Sequence, residues 1–125
     1  QVILTLDQLS CFRAGCGVHL RKTDRLSEAL SHLETLEAPW PITAGIRDEQ
    51  DIERQRAWPS DALLISPVRE TPSHQGMQAL GWDRFSELAC TVGVPAFALG
   101  GITQDDLQKV TENAGFGVAG IRGFQ

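Results

Sequence analysis

Long apolar runs are missing from this chain. No stretch of its 125 residues approaches the roughly 20 consecutive apolar positions that span a bilayer, so no membrane partner is expected. The start has no basic segment leading into an apolar core, so no secretory signal is visible. It also has no methionine. Gln1 opens directly into a strand-like run, and the expectation is a fragment of a longer protein, with 1–125 as one partial domain. A basic surplus is missing too: 11 Lys and Arg stand against 16 Asp and Glu, for a net charge of −5. That excludes non-specific nucleic-acid binding, which needs a basic surface. Cysteine is sparse and odd in number. Cys11, Cys16 and Cys90 match no zinc spacing and are expected as buried or half-buried free thiols in a reducing, cytoplasmic setting.

What is present suits one soluble domain with a core: 42% hydrophobic and 22% charged residues. The chain is organised around Val94-Pro95-Ala96-Phe97-Ala98-Leu99-Gly100-Gly101-Ile102. Its apolar run is too short for a helix and predicts a parallel strand covered on both faces. Gly100-Gly101 removes side chains where the strand ends, which leaves backbone amides open to a ligand. Thr103 with Asp106 fits a capping box at the start of the next helix. The stretch therefore reads either as an anion site or as a tight strand-to-helix turn.

The rest of the chain repeats strand and helix. Strands are expected at Val2–Thr5, Gly17–Leu20, Ile42–Ile46, Ala62–Ile65, Val94–Leu99 and Gly117–Ile121. Asp7 is expected to cap a brief helix. Thr23 or Asp24 caps one with Leu26, Leu30, Leu33 and Leu36 on one face. Asp48 with Asp51 starts a polar helix reaching about Trp58, and Trp82, Phe85, Leu88, Ala89 and Val92 line another. The last helix carries Leu107 and Val110 inward and closes at Gly115. A long loop rich in Pro, Ser, Thr and Gly, from Ser66 to Gly81, is of the length that usually serves function. Six alternating strands predict right-handed crossovers and a mainly parallel α/β sheet, either an open doubly wound sheet or a (β/α) barrel. A complete eight-stranded barrel needs about 250 residues, so this one is incomplete by roughly two units. In both architectures the site lies at the C-terminal ends of the strands.

Five segments carry a resemblance: Gly17-Val18-His19-Leu20, Ser66-Pro67-Val68-Arg69-Glu70-Thr71-Pro72-Ser73-His74, Leu80-Gly81-Trp82-Asp83-Arg84-Phe85, the Val94–Ile102 stretch, and Gly117-Val118-Ala119-Gly120-Ile121-Arg122-Gly123-Phe124. In that order they resemble the thiamine phosphate synthase family, which includes the TenI-type thiazole tautomerases. They look most like a divergent branch fused behind a Nudix hydrolase domain. The resemblance implies a (β/α) barrel whose six strands match strands three to eight. The missing strands would come from the parent chain or from a homodimer contact.

It also implies roles. Gly100, Gly101, Ile121 and Arg122 stand where the family holds a thiazole phosphate. Asp24 matches a metal-binding aspartate, and Asp7 stands where an Asn-Asp pair holds Mg²⁺ for synthase chemistry. Three positions depart from the pattern: Gly45 replaces a pyrophosphate-binding Ser, His74 a Lys, and Arg47 the proton-transferring His of the tautomerases. An arginine stays protonated and is no ordinary base. His74, in the loop with Thr71 and Ser73, remains an acid/base candidate because its ordinary pKa is near neutral. Structural alternatives stand beside these roles: Asp24 as a helix cap, His74 and Arg122 as solvated surface residues, His19 as a barrel-interior residue, Trp82 as a core anchor. The function expected is a phosphate-binding domain acting on or sensing a phosphorylated thiamine-related metabolite. The alternatives are a catalytically silent structural or regulatory domain, and an active synthase, which alone would need Mg²⁺.

Overall fold

The computed structural model describes residues 3–72 and 76–120. Short β-rich runs separated by helical spacing give six strands: β1 (Ile3–Thr5), β2 (Gly17–Leu20), β3 (Ile42–Ile46), β4 (Ala62–Ile65), β5 (Ala96–Ala98) and β6 (Gly117–Val118). All neighbours are parallel, in the spatial order β1-β2-β3-β4-β5-β6. A 3-10 helix (Leu6–Cys11) follows β1, and four α-helices follow: α1 (Leu26–Glu34) after β2, α2 (Glu49–Gln55) after β3, α3 (Gly81–Thr91) after β4 and α4 (Leu107–Glu112) after β5. The order never reverses. Crossovers of one hand therefore place every helix on the same face of the sheet. A doubly wound sheet needs a reversal, and that alternative is set aside. Among the described residues the sheet is open, with β1 and β6 as its edges.

Register and burial identify the two faces. Val18, Leu20, Ala44, Ile46, Leu63, Ile65, Ala96 and Ala98 lie on the covered side, all buried. Ala29 and Leu33 of α1, Ile52 of α2, Phe85, Leu88 and Ala89 of α3 and Val110 of α4 join them in a single core. Phe85 is fully buried, a burial that contributes about 1.5–3 kcal/mol. The opposite face carries Thr5, His19, Thr43, Gly45, Ala62, Leu64, Phe97 and Gly117, a mixture of polar, small and half-buried residues. The β5 strand is thus covered by helices on one face, and Phe97 on the other packs against exposed Phe116, ring centroids 5.5 Å apart.

Several local expectations are corrected. Thr5, not Asp7, precedes the 3-10 helix, its amide donating to Gln8 Oε1 at 3.2 Å. Neither Thr23 nor Asp24 caps α1. Its N-cap is Arg25, without a side-chain bond, because the Asp24 carboxylate is turned back onto Arg21. Asp48 does cap α2, accepting from the Asp51 amide at 2.9 Å, but that helix ends at Gln55. Leu107 is 48% exposed while Val110 is fully buried, since the short α4 turns only one of its four faces inward. Cys11 and Cys90 are exposed and only Cys16 is half-buried. The left-handed residue after α4 is Ala114, with φ of 63°.

Gly115 is needed for space instead. A Cβ there would lie 2.7 Å from Phe85 Cζ and also against Val110. Gly115→Ala is therefore expected to destabilise the fold by about 1–3 kcal/mol through overpacking, read as a lower urea midpoint with an unchanged slope.

Candidate functional site

The C-terminal ends of β3, β4 and β5 meet in one backbone assembly. After β5, Gly100 and Gly101 take φ of 90° and 65°, values that an L side chain resists. The segment after β4 lies directly on them. Val68 N–H donates to Leu99 O at 2.9 Å and Arg69 N–H to Gly100 O at 3.0 Å. A Cβ on Gly100 would come within 2.7 Å of Pro67 Cα, and one on Gly101 within 2.7 Å of the Glu70 carbonyl oxygen. The glycines are thus required first by the chain's own packing. Among the described residues, no acceptor meets the amides of Gly100, Gly101 and Ile102.

Side chains lock this assembly. Asp106 accepts from the Thr103 amide at 3.0 Å, which completes the expected cap. It also takes a two-pronged bond from Arg69, Nη1 at 3.0 Å and Nη2 at 2.7 Å. Burial pushes the Asp106 pKa up, but the Thr103 amide and the Arg69 guanidinium outweigh it and hold the group below its ordinary value. Arg69 and Lys109 lie over the Trp82 ring at 5.4 and 5.1 Å, and Trp82 meets Phe85 edge-on at 5.9 Å. Trp82 is therefore an anchor with a cationic cover.

Arg47 ends β3. Its amide donates to Asp51 Oδ2 at 2.9 Å and its Nη2 to the Gln78 carbonyl at 2.6 Å. Its Nη1 is buried and has no hydrogen-bond partner among the described residues. An open cleft of about 620 Å³ is lined by Glu70, Thr71, Pro72, Gly76, Met77 and Gln78. Glu70 abuts Gly101, Gln78 receives Arg47, and Thr71 lies in the lining. Gly100, Gly101, Arg47 and Thr71 are thereby brought to one loop. Ser73, His74, Ile121 and Arg122 lie outside the described residues.

The two metal candidates lie elsewhere, at the ends of β1 and β2. Arg21 Nη2 stands 3.0 Å from Asp7 Oδ1 and 3.3 Å from Asp24 Oδ1, and the Arg21 amide donates to Asp24 Oδ2 at 2.7 Å. Both oxygens of Asp24 are engaged by one arginine. Among the described residues no group of three His, Cys, Asp or Glu side chains is placed to hold a metal ion. These residues do not fit the Mg²⁺ that synthase chemistry implies. Nearby, His19 Nδ1 is 3.0 Å from Thr43 Oγ1 on the uncovered face, and burial lowers the His19 pKa against the pull of Asp24. The role of Arg21 was legible as an opposite charge three residues before Asp24. The Arg69–Asp106 fork, 37 residues apart, had no such signal. No helix of the described residues is long and apolar enough to cross a membrane.

The model of the thiamine monophosphate synthase family, TMP-TENI, matches residues 11–124. The chain is similar to a putative thiamine-phosphate synthase 2 of Aquifex aeolicus, 35% identical over 65 residues, covering 52% of this chain and 35% of that protein. A thiamine-phosphate synthase of Corynebacterium efficiens is 29% identical over 109 residues, covering 86% of this chain and 50% of that protein. A solved thiamine phosphate pyrophosphorylase from Pyrococcus furiosus superposes with a TM-score of 0.65 at 22% identity, over 84% of this chain and 48% of that one. The chain spans half or less of the length of these relatives.

The Asp106 cluster gives a pH-dependent expectation. A carboxylate whose folded pKa is lowered contributes stability that is present above about pH 4 and is lost as pH falls through the folded value. Asp106→Ala should cost about 1–2 kcal/mol at pH 7. Urea titrations across pH should show that gap closing below about pH 4. A gap independent of pH would mean that the charge of Asp106 contributes nothing.

Proposed function

The chain belongs to the thiamine monophosphate synthase family, and from that premise we propose that it is a phosphate-binding domain which takes a phosphorylated thiamine-related metabolite at the turn after β5. The observation that carries the reading is the set of amides at Gly100, Gly101 and Ile102, without acceptors among the described residues, beside a cleft. Successive amides in a left-handed turn form a concavity suited to anions. The Arg47 guanidinium supports it. It has a carbonyl partner, no carboxylate among the described residues, and one buried nitrogen with no acceptor. A buried guanidinium nitrogen without an acceptor is costly, and an anionic ligand would offset that cost. By family resemblance, Ile121 and Arg122 complete the phosphate cradle, Thr71 and Ser73 belong to its loop, and His74 is the acid/base candidate. The six strands correspond in this reading to strands three to eight of the family's barrel, and the motifs resemble those of the Nudix-fused branch.

A second reading is a catalytically silent domain that retains only the ligand site. It is favoured by Arg21, which occupies the two carboxylates that a metal would need, by Gly45 in place of a pyrophosphate-binding Ser and by Arg47 in place of a proton-transferring His. Condensation of the two phosphorylated thiamine halves by the full-length protein in Mg²⁺ would exclude it.

The binding reading is tested by NMR titration with inorganic phosphate and with the phosphorylated thiazole. The Gly100, Gly101 and Ile102 amide resonances should move. Arg47→Met should weaken binding about tenfold, as expected for loss of one charge-assisted hydrogen bond. Unmoved turn amides, or full affinity in Arg47→Met, would overturn the corresponding part of the proposal.

A further inference from the structure

The charged residues at the ends of β1 and β2 form a closed set that the phosphate site does not use. A single nitrogen, Arg21 Nη2, lies between the carboxylates of Asp7 and Asp24, at 3.0 and 3.3 Å. The Asp24 side chain is only 7% exposed, and its second oxygen is held by the Arg21 amide at 2.7 Å. The backbone beneath is fastened by another arginine, since Arg54 Nη2 donates to the Asp24 carbonyl at 2.8 Å. The next residue, Lys22, is committed to Asp51 at 3.1 Å.

We infer that Arg21 is a resident cation, seated where a divalent metal would bridge Asp7 and Asp24, so that this end of the site neither binds nor needs Mg²⁺. Mg²⁺ demands oxygens at about 2.0–2.1 Å in near-octahedral order. Reaching that geometry would require ejecting the guanidinium and drawing in two carboxylates now spaced for an N–H donor. Both oxygens of Asp24 already accept from Arg21, so a metal there would compete with the guanidinium and the amide. The ejected charge would remain near Lys22 and Arg54, which face the same rim and oppose an added dication. The guanidinium, being covalently tethered, cannot be chelated away. The inference does not rest on phosphate binding at the Gly100-Gly101 turn.

Mn²⁺ alone serves as the probe, followed by electron paramagnetic resonance, with thermal melting in Mg²⁺ alongside. The wild-type chain should bind no Mn²⁺ up to roughly 1 mM, the weak end of protein sites for hard cations. Its melting temperature should not rise with Mg²⁺. Arg21→Gln frees both carboxylates with little change of shape. It should raise Mn²⁺ affinity at least about tenfold, and adding Asp24→Asn should abolish the gain. Arg21→Ala serves as an independent variant, with circular dichroism establishing that each is folded. Wild-type Mn²⁺ binding that disappears in Asp24→Asn would overturn the inference. Folded Arg21 variants that gain no Mn²⁺ affinity would overturn it equally.

Discussion

Everything at the candidate site depends on how closely the segment after β4 can approach the turn after β5. Two glycines set that approach. With any side chain at Gly100 or Gly101, Pro67 and Glu70 would have to withdraw. Their withdrawal would break the Val68 and Arg69 amide bonds to Leu99 and Gly100. The Arg69 guanidinium would then lose its alignment on Asp106, and Asp106 would be left to cap its helix alone. Backbone contact therefore comes first, the ion pair second and the aromatic cover of Trp82 third. Each is possible only because the previous one holds its partner in place.

In the proposed reading, packing and anion binding use the same two residues without competing. The missing Cβ atoms face the chain's own backbone, while the amide hydrogens of the turn have no internal acceptor among the described residues. Tight packing on one side leaves the donors on the other side fixed and unspent. A donor array that does not have to reorganise binds an anion at lower entropic cost than a mobile loop.

Much of the architecture was legible in the sequence because it depends on local pattern. The four-residue apolar run Ala62-Leu63-Leu64-Ile65 became β4 with those bounds, and Ile42–Ile46 became β3. The Thr103–Asp106 and Asp48–Asp51 caps followed from spacing alone. The failures have a common cause. Asp24 looked like a helix cap because capping is the usual local use of an aspartate after a strand, yet Arg21 offered it both an amide and a guanidinium. Leu107 looked inward because periodicity gives a face but no width, and a six-residue helix buries only a narrow stripe. Asp106 was read as a cap but not as the partner of Arg69, a contact created by tertiary approach rather than by spacing. The fold order itself, sequential and unreversed, separates a singly wound sheet from a doubly wound one and cannot be read from periodicity.

The electrostatics divide the rim of the sheet into two parts with different chemistry. From the end of β1 to the start of α2, carboxylates and cations answer one another: Asp7 and Asp24 with Arg21, Asp48 and Asp51 with Lys22. Charge there is spent internally, and such pairs add little stability where they are exposed. At the ends of β4 and β5 the Asp106 carboxylate is already committed to Arg69, while Arg47 after β3 keeps a buried nitrogen without an acceptor among the described residues. In the proposed reading an anion at the rim finds paired charge at one end and, at the other, an arginine without a carboxylate partner and turn amides without acceptors among the described residues. A chain with a net charge of −5 can still attract a phosphate, because recognition depends on this local surplus rather than on the total.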